Sequence, residues 1–126
     1  MIRIFIADPN PSTRKALALL LRRRLGTDGV QEVSDLDSLI RNLADEPPDL
    51  LLLDWRLFGV PALESCVLLQ RMHPGLKIVL LSVDAGDEEE AKQAGAVFIH
   101  KGASPEGVIA ALKPLLEIES SKCVQT

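Results

Sequence analysis

Four short apolar runs in this chain each end on a polar side chain, and this repeated pattern constrains the fold more than any other feature. The runs and the residues that close them are 4–7 with Asp8, 50–53 with Asp54, 78–81 with Ser82 and 97–100 with Lys101. Short continuous apolar runs are typical of buried parallel strands, and open parallel sheets bind ligands at the carboxyl ends of their strands. We therefore expect the four polar side chains to converge on one site.

The chemistry of these four side chains favours phosphoryl transfer. Two carboxylates suit a hard divalent cation such as Mg²⁺, an ammonium group suits a phosphate, and a hydroxyl can donate a hydrogen bond to a phosphoryl oxygen. Our leading hypothesis from the residues alone is phosphoryl chemistry at a carboxylate.

The segments between the apolar runs have helical patterns, which predicts an α/β fold with a parallel sheet and helices on both faces. With a weaker strand at 30–33, the length fits five strands and five helices. The first predicted helix begins near Pro11 or Ser12 and stops at Gly26, and the next three cover 35–44, 61–72 and 87–94. The fifth begins with Ser104 as its N-cap and Pro105 as its first residue. We expect Pro114 to end or kink the last helix, and 117–126 to be a polar tail.

Composition bounds the function without choosing it. The 126 residues suit one globular domain, which we place at 1–118, followed by a polar tail or linker stub at 119–126. The net charge of -4 argues against nucleic-acid binding by this domain, and no segment reaches transmembrane length, so we expect a cytoplasmic protein that does not bind membranes. His73 and His100 lack metal-ligand spacing, and no Gly-rich phosphate loop is present.

Several motifs together resemble the receiver domain of response regulators in two-component signalling, over nearly the whole chain. The turn Ile-Ala-Asp8-Pro-Asn-Pro resembles the family's acidic turn, and Pro-Asp-Leu-Leu-Leu-Leu-Asp54-Trp-Arg resembles the strand that carries its phospho-accepting aspartate. Ser82 matches the Ser/Thr switch position, while Phe98 and Lys101 match the rotating aromatic residue and the phosphate-pairing lysine. The segment Lys-Gly-Ala-Ser-Pro-Glu from 101 to 106 resembles regulators with a LuxR/NarL-type output domain.

The resemblance implies a flavodoxin-like fold with strand order 2-1-3-4-5 and a switch rather than an enzyme, with self-phosphorylation and slow autodephosphorylation at most. Asp54 would accept a phosphoryl group from a histidine kinase or a phosphotransfer protein, with Lys101 and Ser82 pairing with phosphoryl oxygens. Mg²⁺ would be held by Asp8, Asp54 and the backbone carbonyl of Arg56. Ser82 and Phe98 would then reshape the surface of helix 4, strand 5 and helix 5 to control an output domain or effector protein, and the resemblance also allows a homodimer.

The largest departure from the family's pattern is Pro9, which stands where a second acidic residue usually contacts the metal. Leu57 and Phe58 replace the usual Met-Pro, Ala62 replaces a glycine, and Gly102 stands where many members have proline. A second hypothesis is therefore a pseudo-receiver, an interaction module that is not phosphorylated because Pro9 disables its metal site. A third, more remote hypothesis is a flavodoxin-like electron carrier or a phosphohydrolase.

Overall fold

Strands and helices alternate along the whole described chain. The computed structural model of the protein describes residues 2–57, 62–93 and 95–125, with side chains over 2–57, 64–93 and 95–116. The elements in these residues are β1 (Ile4–Ala7), α1 (Pro11–Leu25), β2 (Val30–Val33), α2 (Leu36–Asp45), β3 (Leu50–Asp54), α3 (Ala62–Met72), β4 (Lys77–Ser82), α4 (Asp87–Gln93), β5 (Val97–His100) and α5 (Pro105–Gln125). The alternation predicted from the sequence is confirmed.

The strands form one parallel sheet in the order β2-β1-β3-β4-β5, as predicted. The register aligns the carboxyl ends of the strands: Ala7 pairs with Leu53, and Ser82 pairs with His100. Asp8 and Lys101 each follow a strand directly, so all four polar residues lie at one edge of the sheet.

The core is divided between the two faces of the sheet. Alternate strand residues point to opposite faces, so neighbours such as Leu52 and Leu53 belong to different clusters. One cluster packs the sheet against α1 and α5, and the other packs it against α2, α3 and α4. Strands buried on both faces explain the continuous apolar runs of the sequence.

Capping residues set both ends of α1, as the sequence predicts. The Asn10 side chain accepts hydrogen bonds from the backbone amides of Ser12 and Thr13, and Pro11 occupies the first turn, where no intrahelical donor is needed. Gly26 ends the helix in the left-handed conformation, with φ of 60°.

The middle helices follow the predicted bounds closely. Asp35 is the N-cap of α2 rather than its first residue, because its side chain accepts a hydrogen bond from the Ser38 amide. The predicted starting residue of α3, Pro61, and the predicted last residue of α4, Ala94, lie outside the described residues. Gly95, two residues before β5, has φ of 74°.

α5 continues past Pro114, so this proline does not end the helix, which is one of the two outcomes expected from the sequence. The helix continues to Gln125 and passes through the boundary expected at residue 118. The residues on either side of Pro114, Leu112 and Leu116, are both buried against α1 and the sheet. Burial of these two leucines favours a continuous helix despite the hydrogen bond that proline cannot donate.

We expect Pro114→Ala to raise the free energy of unfolding by about 2 kcal/mol. Proline in a helix interior destabilises the fold by about 3 kcal/mol relative to alanine. Alanine also makes the unfolded chain more flexible, which favours unfolding and offsets up to about 1 kcal/mol of this gain. Urea unfolding measures the difference, and the exposed neighbour Lys113 provides the control: Lys113→Ala should change stability by no more than about 0.5 kcal/mol. An unchanged urea midpoint for Pro114→Ala would show that Pro114 does not destabilise the helix in the native protein.

Candidate functional site

The four polar residues predicted from the strand ends line a common cleft. Asp8, Asp54, Ser82 and Lys101 all contribute to its walls, together with Pro9 and Arg56. Parallel strands of matched register place these side chains together although they are distant in sequence. The predicted convergence is therefore observed.

Lys101 is the centre of the site. Its ammonium nitrogen Nζ lies 2.8 Å from Asp8 Oδ2 and also contacts Asp54 Oδ1. The side chains are largely removed from water, with 12% of Lys101, 7% of Asp54 and none of Asp8 exposed. One ammonium thus balances two buried carboxylates, which leaves a net negative charge in the cleft.

The carboxylates determine the protonation of this lysine. Burial alone would lower the pKa of Lys101, but close contact with the negative charges of Asp54 and Asp8 outweighs burial and raises the pKa above its ordinary value of 10.5. The folded protein therefore holds this proton more tightly than the unfolded chain does. The stability that follows is fully present below pH 10.5, the ordinary pKa that the unfolded chain has, and is lost as the pH rises through the higher pKa of the folded protein.

We accordingly expect alkaline conditions to destabilise the wild-type protein through Lys101. Urea unfolding between about pH 9 and about pH 12 should show a steeper loss of stability for the wild type than for Lys101→Met, which lacks the titrating group. Equal slopes for the two proteins would contradict the raised pKa.

Asp8 is held in place by the backbone around it. Its amide donates to the Val33 carbonyl of β2 (3.0 Å), and its Oδ1 accepts a hydrogen bond from the Asn10 amide (2.8 Å). Arg14 of α1 donates to the Asp8 carbonyl (2.8 Å) and pairs with Glu32 (3.1 Å). Pro9 has no backbone N–H to donate, so hydrogen bonds from Asn10 and Arg14 fix the turn.

The oxygens of the site suit Mg²⁺. Asp8 Oδ2 is buried and has the Lys101 ammonium group as its close partner, so a metal ion that binds here beside the Asp54 carboxylate would share this oxygen with Lys101. The Arg56 amide donates to Asp54 Oδ2 (2.9 Å), which places the Arg56 backbone next to that carboxylate. These are hard oxygen donors, as Mg²⁺ requires. However, among the described residues no group of three or more His, Cys, Asp or Glu side chains is placed to hold a metal ion, so water would have to complete the coordination.

Ser82 lines the cleft, but its hydroxyl makes its hydrogen bonds with the β4–α4 loop and α4. Its hydroxyl donates to Asp87 Oδ2 at the start of α4 (2.5 Å) and accepts a hydrogen bond from the Asp84 amide (3.0 Å). The Ser82 carbonyl accepts from the Lys101 amide (2.7 Å), which joins the two strand ends. The Ser82 side chain is therefore bonded to α4, whereas only the Ser82 backbone is bonded to Lys101.

Phe98 lies apart from the cleft, against Trp55. The two rings meet edge to face, with centroids 6.3 Å apart and an interplanar angle of 79°. Phe98 is half-buried at the edge of the cluster formed with α2, α3 and α4. It therefore sits beside the residue that follows Asp54.

Sequence reasoning missed three residues that support the site. Asn10 and Arg14 hold the turn of Asp8, and Asp87 holds the Ser82 hydroxyl. Helix-capping rules identify Asn10, because it directly precedes Pro11. In the sequence, Asp87 fits an acidic residue favoured by the dipole of a helix that begins there, and sequence spacing alone does not show its contact with Ser82 across the loop.

The fold and the site define a class: a doubly wound α/β domain that gathers two carboxylates, a lysine and a serine at the carboxyl edge of its sheet. The family model for the response regulator receiver domain matches residues 4–113. The chain belongs to this family, which confirms the family and fold expected from the sequence. Response regulators are components of two-component signalling, and receiver domains in general bind Mg²⁺ where they are phosphorylated.

The chain is similar to curated response regulators from bacteria. It is 29% identical to transcriptional activator protein ExaE of Pseudomonas putida over 116 residues, which is 90% of this chain and 54% of that protein. It is 28% identical to response regulator UvrY of Escherichia coli over 116 residues, again 90% of this chain and 53% of that protein. The chain thus spans about half the length of the curated relatives it matches.

Solved structures show the same fold. NtrX of Brucella abortus matches with a TM-score of 0.81 and 26% identity, over 97% of this chain and 28% of that chain. The N-terminal signal receiver domain of a response regulator from Bacteroides fragilis matches with a TM-score of 0.80 and 25% identity, over 91% and 96% of the two chains. Within the described residues, none of the helices has the length and apolar character needed to cross a membrane.

Proposed function

We propose that this domain is a phosphorylation-dependent switch with Asp54 as the phospho-acceptor. The observation that carries the proposal is the contact of Lys101 with both Asp54 and the buried Asp8 at one edge of the sheet. A carboxylate held beside an ammonium group can attack an activated phosphorus while the developing charge is balanced. Family membership supports the same role.

The proposed reaction is a single transfer rather than turnover. An oxygen of Asp54 forms a bond to the phosphorus of a phosphohistidine on a histidine kinase or phosphotransfer protein. The phosphorus–nitrogen bond breaks, and the imidazole nitrogen leaves with the electron pair and takes up a proton. Self-phosphorylation from small phosphodonors and slow autodephosphorylation would be the only catalytic activity.

Each residue of the cleft has a proposed part in this transfer. Mg²⁺, held by Asp8, Asp54 and the Arg56 carbonyl, would neutralise charge on the phosphoryl group. Lys101 would pair with one phosphoryl oxygen, and the Ser82 hydroxyl would leave Asp87 to donate to another. Phe98 would turn into the space that Ser82 vacates, which changes the surface formed by α4, β5 and α5.

The wider assignments are also proposals. Because the chain spans about half of its curated relatives, we propose that the surface change acts on an output domain or effector protein, with a LuxR/NarL-type DNA-binding domain as the favoured output. The domain itself, with a net charge of -4, would not bind nucleic acid. We propose that the domain acts in the cytoplasm and that a homodimer is one form of the phosphorylated state.

A second candidate function is a pseudo-receiver that binds partners without phosphorylation. The observation that favours it is the pairing of Lys101 with both carboxylates where Pro9 contributes no acidic side chain. An ammonium group that already pairs with Asp8 and Asp54 competes with a cation for the same oxygens.

Mass spectrometry of the intact protein after incubation with acetyl phosphate distinguishes the two candidates. We expect one phosphoryl adduct that requires Mg²⁺ and is absent when EDTA is added. The emission of Trp55, which adjoins Asp54, should change in the same samples when Mg²⁺ binds. Absence of an adduct at high Mg²⁺, from protein with native circular dichroism, would favour the pseudo-receiver.

A further inference from the structure

The imidazole of His100 connects the two loops that flank the cleft. His100 is the last residue of β5, directly before Lys101. Its Nε2 lies 2.8 Å from the carbonyl of Val83, in the loop between β4 and α4, and its Nδ1 accepts a hydrogen bond from the Gly102 amide (2.9 Å). Both ring nitrogens are therefore engaged, each with a different loop.

These two partners determine which nitrogen carries the proton. A backbone amide can only donate, so Nδ1 must be unprotonated. A backbone carbonyl can only accept, so Nε2 must carry the proton. The contacts thus require a neutral ring in the Nε2–H tautomer.

Gly102 is matched to this ring in two ways. A Cβ atom at position 102 would lie 2.9 Å from His100 Cε1, closer than real Cβ atoms approach, and 3.0 Å from Nδ1, so the ring would have to shift. A proline at this position, as many family members have, would also lack the amide that donates to Nδ1. The presence of glycine here is therefore explained by the histidine two residues earlier.

Lys101 lies within this bridge. Its amide donates to the Ser82 carbonyl (2.7 Å), and the next amide along the chain is the one bound by His100. The other side of the ring holds the carbonyl of Val83, which directly follows Ser82. The imidazole thus adds a link between the two loops beyond the point where the backbone hydrogen bond of Lys101 to Ser82 joins the strand ends.

We propose that His100 is a positioning residue for phosphoryl transfer. Its two ring nitrogens fix the backbone next to Lys101 and the loop that follows Ser82, and its ring requires glycine at position 102. The bridge is a feature of the structure, whereas its effect on phosphorylation rests on the function proposed above. A free loop would leave Lys101 and Ser82 to be ordered during the reaction, which slows the transfer.

Two substitutions separate the two halves of the bridge. The side-chain oxygen of His100→Asn takes the place of Nδ1 and keeps the acceptor for Gly102, whereas the amide nitrogen of His100→Gln takes the place of Nε2 and keeps the donor for Val83. His100→Phe keeps a ring and loses both contacts. His73→Phe, at the chain's only other histidine, is the matched control.

The first measurements use the free protein and do not depend on activity. Nitrogen NMR of the ring at about pH 8, above the usual titration range of histidine, should show the Nε2–H tautomer. Hydrogen exchange of the Gly102 amide should be as slow in His100→Asn as in the wild type, and roughly threefold to tenfold faster in His100→Gln and His100→Phe. A protonated Nδ1, or equal protection of Gly102 in all variants, would overturn the proposal.

The rate of phosphorylation by acetyl phosphate then tests positioning. We expect His100→Phe to be about tenfold slower, with the Asn and Gln variants between it and the wild type and His73→Phe unchanged. Gly102→Ala should slow the wild type but have no further effect in a His100→Ala background, where the ring is absent. Equal rates for His100→Phe and the wild type would overturn the positioning role of His100. If the wild type took up no phosphoryl group, the proposed function would be overturned instead, and the hydrogen exchange of Gly102 and the tautomer of His100 would still test whether the ring bridges the two loops.

Discussion

We expect Asp54→Asn to abolish the phosphoryl adduct completely while the domain remains folded. An amide is a far weaker nucleophile than a carboxylate, and it removes the charge that pairs with Lys101 and would bind Mg²⁺. The amide has nearly the same shape, so it can still occupy the space at the end of β3 and still accept the hydrogen bond of the Arg56 amide. Intact mass after incubation with acetyl phosphate and Mg²⁺ measures the loss.

The control for this variant is Asp49→Asn, at the other end of β3. Asp49 is exposed and accepts a hydrogen bond from the Arg3 amide (2.9 Å), far from the cleft. Asp49→Asn should form the adduct as the wild type does. If Asp54→Asn still took up a phosphoryl group, a different residue would have to be the acceptor.

The second large effect concerns the charge balance in the cleft. We expect Lys101→Met to lower the free energy of unfolding by about 3 kcal/mol at neutral pH, because it leaves Asp8 and Asp54 buried without a counter-ion. Methionine is of similar length and apolar, so the loss comes from charge rather than from an empty space. Urea unfolding of the variant and the wild type measures it.

Two further proteins show whether charge is the cause. Combining Lys101→Met with Asp8→Asn removes one of the two unbalanced carboxylates, so the double variant should be more stable than Lys101→Met alone. Lys113→Met, at an exposed site on α5, should stay within about 0.5 kcal/mol of the wild type. A double variant less stable than Lys101→Met would point to packing rather than charge.

Sequence reasoning succeeded where local rules and strand order decide the outcome. The bounds of α1 follow from Pro11 and Gly26, whose backbone preferences act within one turn of the chain. The convergence of Asp8, Asp54 and Lys101 follows from parallel strands that end at one edge. Each inference uses either neighbouring residues or a general rule of open sheets.

It failed where contacts between distant residues decide the outcome. Pro114 lies inside a helix because Leu112 and Leu116 are buried against another element, which local propensity does not include. The bonds of His100 to Val83 and Gly102 depend on the loop geometry, and so does the bond from Ser82 to Asp87. The four polar strand-end residues therefore meet in one cleft as predicted, whereas the position of Phe98 outside the cleft and the hydrogen bonds that orient the loops required the structure.

The hydroxyl of Ser82 has a single proton, and at present Asp87 accepts it. Any acceptor that draws this hydroxyl toward Asp54 must compete with that carboxylate, so one hydrogen bond is exchanged for another. Such an exchange changes the free energy by only about 1 kcal/mol, little more than thermal energy. Helix α4 would then lose this hydrogen bond at its first residue whenever the serine turned, and the two orientations would coexist in a ratio that a small change in free energy could reverse.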